Sequence, residues 1–356
     1  MCYRYWLCFS MCLVSLWEEG AGHPGNLVWS GGPVHMECEH SADYLTHSGQ
    51  HVKDNVIAIK AVTYSDEVYV ITPRFKRGVM ATVWQVVRGR AGPELLAFPS
   101  LRPHTVGDCD AIQNAIDIHL DHIGILWILD SGTVESLESP RCTCPPKVVV
   151  VSILLRKVTR NIDLSSLTMS TSLLQSIVVE YELGAKPFIY ISDAARGAIL
   201  VHDVTSGSEW SVLACPPAAG LQLALVRQTP ATMLVMVRLH YQGLLELDTA
   251  SLRRKSSLAP LRVFGENSKR VSILGFDSHH VYLRHRECSD VLVWNTKEAY
   301  NASNLISIHS PGPRLTPTSV SADPLKQLLI VLDSDYGDTI HTNLPTYHRI
   351  TYIGQI

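Results

Sequence analysis

The chain has 356 residues, 46% hydrophobic and only 18% charged, below the roughly 25% charged share of an average soluble domain. That balance excludes a disordered or solvating chain. Thirty Lys and Arg against 33 Asp and Glu leave a net charge of −3, and no block of five like charges concentrates a field, which speaks against nucleic acid or an anionic membrane as partner.

At the start of the chain, residues 5–17 (YWLCFSMCLVSLW) form an apolar run of 13 behind Arg4 and ahead of Gly20-Ala21-Gly22. This layout predicts a secretory signal peptide over residues 1–22, cut after Ala21 or Gly22. Such a run is too short to cross a hydrocarbon core of roughly 30 Å, and no later stretch is long and apolar enough, so no membrane span is expected. The mature chain, 23–356, is expected to be secreted and extracellular. Its six cysteines, Cys38, Cys109, Cys142, Cys144, Cys215 and Cys288, are an even set in an oxidising compartment and point to disulfides. Zinc fits poorly, because Cys142-Thr143-Cys144 has one intervening residue where zinc knuckles use two to four. Asn301-Ala302-Ser303 is a glycosylation sequon.

From residue 56 onward one unit recurs six times: an alternating start strand, a turn, a compact apolar strand often ending in Asp, a second turn and a third strand. The middle strands are Val68–Thr72, Leu126–Asp130, Ile189–Asp193, Met233–Arg238, Val281–His285 and Leu328–Asp333, with a mean spacing of 52 residues. That is the period of propeller blades. Start strands are predicted at Val56–Tyr64, Ile116–Leu120, Ile177–Tyr181, Leu221–Val226, Val271–Phe276 and Thr318–Ala322. Third strands are predicted at Thr82–Val87, Lys147–Ile153, Ala198–Val204, Leu244–Thr249, Leu292–Thr296 and Thr339–Leu344. Each unit alone leaves two apolar faces exposed, and stacking six around an axis buries them. The expected fold is therefore all-β, a single six-bladed β-propeller. Strong helix signals are absent, and the Ser/Thr-rich stretch Ile162–Leu174 reads as a loop. Cys109 and Cys144 flank the sheet of the second unit, one before its start strand and one at the head of its third, and are expected to pair.

Pro73-Arg74-Phe75-Lys76-Arg77-Gly78-Val79-Met80-Ala81-Thr82, Phe98-Pro99-Ser100, Trp127-Ile128-Leu129-Asp130-Ser131-Gly132, Cys144-Pro145-Pro146-Lys147, Tyr190-Ile191-Ser192-Asp193 and Val293-Trp294-Asn295, in this order and spacing, resemble the yellow/major royal jelly protein family of arthropods. The resemblance runs from about Leu27 to Ile350 and implies a secreted six-bladed propeller tied to cuticle pigmentation and development. It also implies either binding of biogenic amines or conversion of dopachrome. The sequence departs from the family pattern at Gln175-Ser176, where an Asn-Asp pair is common, and at Ser334-Asp335, where a polar residue is followed by Arg. It departs again in the short stretch Trp210–Gly220.

Generic enzyme motifs do not compete. Gly20-Ala21-Gly22-His23-Pro24-Gly25 spells G-x-G-x-x-G but follows no strand, and no Walker loop, H-E-x-x-H or G-x-S-x-G occurs. His119 and His122 close a strand, where positions i and i+3 point to opposite faces, and read as solvated loop histidines, not a metal pair. The acidic turn Asp333–Asp338 lacks the spaced ligands of a calcium loop. No metal and no cofactor is expected.

In a propeller the loops entering the start strands share one face with the turns between second and third strands, and ligands lodge there at the channel mouth. Candidate rim residues are Arg74, Phe75, Asn114, Asp130, Ser176, Asp193, His285, Thr318, Ser319, Asp333 and Ser334. An aromatic amine needs a carboxylate for its ammonium (Asp130, Asp193 or Asp333), polar groups for ring hydroxyls (the Thr318/Ser319 pair) and an aromatic face (Phe75). The competing reading makes the aspartates turn-capping groups. Dopachrome conversion asks for a base and an enolate stabiliser, with His285 and Arg74 as the candidate pair. The reading adopted is a secreted, disulfide-bonded, glycosylated propeller that binds a small aromatic amine or catechol-derived pigment precursor without turnover. A dopachrome-converting enzyme and a cuticle or matrix interaction protein are the alternatives.

Overall fold

The computed structural model describes residues 25–36, 39–182, 186–228, 231–255, 261–265, 269–326 and 328–354. The expected signal peptide and Cys38 lie outside the described residues.

Six four-stranded antiparallel sheets form the blades of a β-propeller. From the axis outward, blade one is Lys60–Tyr64, Glu67–Ile71, Val83–Arg88 and Pro93–Ala97, and blade two is Ala115–Leu120, Ile125–Asp130, Lys147–Ser152 and Lys157–Asp163. Blade three is Leu174–Glu182, Lys186–Asp193, Ala198–Asp203 and Glu209–Leu213, and blade four is Leu221–Gln228, Ala231–Arg238, Leu244–Asp248 and Arg262–Phe264. Blade five is Val271–Phe276, His280–His285, Val291–Asn295 and Leu305–His309. Blade six joins Thr316–Ala322, Leu328–Ser334 and Tyr347–Gly354 to the early strand Leu27–Ser30.

The repeat predicted from the sequence is thus the observed one, with three differences. Each blade carries an outer fourth strand that the pattern did not announce. In blade six the third strand is Tyr347–Gly354, not Thr339–Leu344, because residues Tyr336–Thr339 form a short helix and Pro345, which lacks an amide hydrogen, precedes the true strand. A helix also occupies Glu39–His47 before the first blade. It shows no apolar stripe by which a sequence reading would find it, and Tyr44 on it is 66% exposed.

Alternation along the strands builds the core. Blade faces meet in successive apolar layers, such as Val62, Tyr69, Ile71, Ile118, Ile128 and Val149 between blades one and two. Tyr282, Val293, Val320 and Val331 do the same between blades five and six. Each layer is fully enclosed, so the apolar faces that a lone blade would expose are removed from water.

Ring closure is made by the two ends of the chain. Leu27–Ser30 pairs antiparallel with Tyr347–Ile350, Leu27 opposite Ile350 and Trp29 opposite His348. The Trp29 indole stacks on the His348 imidazole, centroids 5.1 Å apart at 15°. His348 Nε2 in turn accepts the Ala58 amide of blade one at 2.9 Å, which requires the neutral tautomer with the proton on Nδ1. Burial holds this imidazole pKa down at about 3, and burial lowers that of His104 to about 4.

The predicted bridge is present: Cys109 and Cys144 are disulfide-bonded across 35 positions. Cys142, Cys215 and Cys288 are free thiols. Gly132, beside Asp130, has φ +70°, and a Cβ there would lie 2.0 Å from the Cys144 carbonyl oxygen, so the turn that sets the bridge in place requires glycine.

The buried histidines fix the direction of the pH response. Between the ordinary pKa of 6.5 and about 3, an unfolded chain binds a proton at residue 348 that the folded chain does not, so stability falls as pH drops through that window. Each such group contributes a slope of at most about 1.4 kcal/mol per pH unit. Thermal melts between pH 7 and pH 5 are expected to show a falling melting temperature. His348→Gln should lower stability at pH 7 and flatten the slope by up to one proton; an unchanged slope would remove residue 348 from the response.

Candidate functional site

The inner strands of neighbouring blades touch all the way round the axis and enclose a channel of about 480 Å3. All six blades line it. Ile59, Val62, Ile118, Leu120, Leu223 and Val237 supply apolar wall. At the ends where the inner strands begin stand Phe75, Lys60, Asp117, Ser176, Thr318 and Arg286. Toward the opposite end the His119 ring stacks on Phe276, centroids 5.8 Å apart at 20°. Burial first, and then the Lys60 ammonium, lower the His119 pKa to about 4, so the imidazole is neutral at pH 7.

Much of the polar lining is already committed, for a reason that lies in the backbone. An inner strand has a partner on one side only, and its free edge leaves amides without strand partners. Side chains from the preceding blade supply acceptors for some of these amides. Asp117 Oδ2 accepts the Ile177 amide at 2.8 Å, and Ser176 Oγ accepts that of Leu223 at 3.2 Å. Gln222 Oε1 accepts that of Ile273 at 2.9 Å, and Ser319 Oγ accepts that of Ala61 at 2.9 Å. Asp117 also pairs through Oδ1 with Lys60, across the blade one to blade two junction.

The residues predicted from the sequence fall into two groups. Phe75, Ser176 and Thr318 line the channel. Asp130, Asp193 and Asp333 do not line it: all three are fully buried and engaged within the protein. Asp130 accepts the amides of Gln113, Asn114 and Gly132 at 2.8–2.9 Å and pairs with Lys147 at 2.9 Å. Asp193 accepts from the Leu173 amide at 3.0 Å and from Ser172 Oγ at 2.6 Å. Asp333 holds Arg349 at 2.8 Å and His309 at 2.9 Å. They tie the loop entering a blade, or its outer strands, to the end of the second strand. This is the turn-capping role that the sequence left as the competing reading.

Ser319 stitches blade six to blade one and Ser334 is buried, so neither offers its hydroxyl at the mouth. Asn114 receives the Arg74 amide at 2.7 Å. Arg74 is not a rim cation: its five N–H donors go to the carbonyls of Val79, Met80, His104, Ile112 and Gln113. It lines a second cavity beside Lys76 and Arg77, away from the channel. His285 ends the second strand of blade five and does not line the channel either, so the acid–base pair Arg74 and His285 is not assembled.

His119, expected as a solvated loop residue, is instead in the channel wall because Asp117 and His119 alternate on one face of the inner strand; His122 is exposed beyond it. Lys60, Asp117, His119, Phe276 and Arg286 are among the lining residues that sequence reasoning missed. Taking every second residue of each start strand would have found Lys60, Asp117 and His119. Asn301 caps a short turn on the exposed outer side of blade five, its Oδ1 accepting the Ser303 and Asn304 amides.

A closed ring of six four-stranded blades around a channel wide enough for a small molecule defines the class, a six-bladed β-propeller with an axial cavity. The Major royal jelly protein family profile matches residues 113–215, blades two and three. Protein yellow of Drosophila melanogaster is 31% identical over 115 residues, 31% of this chain and 21% of that protein. Protein yellow of Drosophila yakuba is 25% identical over 169 residues, 46% of this chain and 31% of that protein. Over these stretches the chain is similar to the yellow/major royal jelly protein family, and the matches span about a fifth to a third of the length of the curated relatives.

Among solved structures, an auxiliary nutrient binding protein from Bacteroides ovatus superposes with a TM-score of 0.51 at 11% identity, covering 92% of this chain and 76% of that one. A luciferin-regenerating enzyme gives a TM-score of 0.50 at 11% identity, covering 85% and 94%. These two likenesses show the fold. Among the described residues no helix is long and apolar enough to cross a membrane.

The commitment of Asp130 is testable. Asp130→Asn should lower the stability of the protein by about 2 kcal/mol or more in denaturant melts, because Lys147 would lose its buried counter-charge. A variant of unchanged stability would show that the carboxylate is free for another role.

Proposed function

We propose that this protein is a secreted, yellow-type propeller that holds a small aromatic pigment precursor in its axial channel without turning it over, in the setting of cuticle pigmentation. The observation that carries this reading is the channel itself: about 480 Å3, apolar along its walls, with the stacked His119–Phe276 pair presenting a flat aromatic surface at one end. A cavity of this size and lining suits a bicyclic aromatic compound. The family relationship supports the pigmentation setting. An amine is the less favoured occupant, because Asp117, the carboxylate in the wall, already serves Lys60 and the Ile177 amide. For dopachrome conversion the pair of groups expected from the sequence is not assembled, which favours binding over turnover. A glycan at Asn301 would project from the outer side of blade five, clear of the channel.

Titration of the purified mature protein with dopachrome, read by quenching of intrinsic fluorescence, tests the reading. Saturable binding is expected, with dopachrome absorbance decaying at its spontaneous rate. Phe276→Ala should weaken binding about 3- to 10-fold, the worth of one aromatic stack. Decay faster than the spontaneous rate would establish turnover and displace the binding-only reading, and absence of saturation would remove the channel as its site. In the glycosylated secreted protein, Asn301→Gln should lower the mass by one glycan and leave the titration unchanged.

A further inference from the structure

The charges at the channel mouth are unevenly spent. Lys60 and Asp117 neutralise each other, and His119 is neutral at pH 7. Arg286 lines the same channel, and among the described residues its side chain makes no hydrogen bond and no ion pair. It emerges just past the second strand of blade five, its backbone amide fixed to the Arg270 carbonyl oxygen at 3.0 Å. Arg270 turns aside to pair with Glu287 at 3.6 Å. Arg284, two positions earlier, has its Nε buried with no hydrogen-bond partner.

A guanidinium placed beside other cations in a partly desolvated site is held in an unfavourable state. Burial is the main cause that lowers the pKa of both Arg284 and Arg286; Arg270 adds to it at Arg286, where Tyr336 and Glu287 act the other way, while at Arg284 Tyr336 opposes it more than Arg286 adds to it. An anion would relieve that cost, and a planar fork of donors matches a carboxylate. Asp117 is the one acidic residue among the channel-lining residues, and both its oxygens are engaged.

We infer that the occupant of the channel carries a carboxylate, which Arg286 receives at the mouth while the aromatic portion lies deeper, toward His119 and Phe276. This rests on the proposed channel-binding function and specifies the charge of its ligand: an aromatic acid in preference to an aromatic amine.

Indole-3-acetate and tryptamine make the test, being of similar size and carrying opposite charges on the same ring system. Titrated into the mature protein, indole-3-acetate is expected to bind at least 10-fold more tightly than tryptamine. Arg286→Gln should weaken indole-3-acetate about 10- to 100-fold, the range for one charge-assisted hydrogen-bonded contact, and leave tryptamine unchanged or improved. Arg286→Lys should restore part of the affinity, since it keeps the charge and loses the fork. Melting temperatures of the variants within a few degrees of the parent confirm that the ring is intact. Tryptamine binding as tightly as the acid, or an Arg286→Gln protein that keeps its affinity for indole-3-acetate, would overturn the inference while leaving the channel as a binding site. Failure of both indoles and of dopachrome to bind would instead overturn the channel-binding function, and this inference with it.

Discussion

The constraint on which this structure depends is the unpaired inner edge of each blade. Six strands that face a common axis cannot pair with one another as a sheet, and amides left bare in an enclosed channel cost about as much as a broken hydrogen bond each. At four junctions the protein answers with one short or medium polar side chain near the start of an inner strand, reaching across to the next blade: Asp117, Ser176, Gln222 and Ser319. The blade five to blade six junction is closed differently, by direct approach of backbone. Gly275 lies so near Val320 that a Cβ would stand 1.9 Å from its carbonyl oxygen. The channel is therefore lined by groups whose first task is to hold the ring, and the electrostatics of the cavity are set by what is left over.

The blade period was legible because a half-buried or fully buried strand leaves a mark in the sequence. Val148, Val149, Val150 and Val151, or Leu329, Ile330, Val331 and Leu332, have no polar alternative when both faces of a blade are covered. The outer strands left no such mark. Lys157–Asp163 buries only Ile162 well, and Arg262–Phe264 is three residues long with two of them exposed. Leu27–Ser30 was illegible for another reason: its pairing partner lies at the far end of the chain, beyond any local pattern.

The site was harder to read than the fold. An aspartate ending a strand looks the same in sequence whether it caps a turn or greets a ligand, and here Asp130, Asp193 and Asp333 cap. The motifs that carry the family resemblance behave alike. Arg74 is spent on five carbonyls, Lys147 on Asp130, and Cys144 on Cys109. They encode how blades one to three are fastened, whereas Lys60, His119, Phe276 and Arg286 sit outside those motifs. Most residues of those motifs thus build the fold, although Pro73 and Phe75 also line the channel, so a family resemblance speaks first to the fold.

The closure of blade six has a kinetic meaning. Leu27 pairs with Ile350, more than 300 positions later. Among the described strand pairings that one has the longest sequence separation, and long-range pairings form slowly unless intervening structure brings the ends together. Blades one to five, each assembled from neighbouring hairpins, can form as they are synthesised and curve the chain back on itself. Docking of Trp29 against His348 brings together segments separated by all the intervening blades, so it needs those blades to have curved the chain into a ring. A ring that fails to close would leave Leu27–Ser30 undocked and the Tyr347–Gly354 edge unpaired, so this strand ties the stability of the first and last segments of the ring to its completeness.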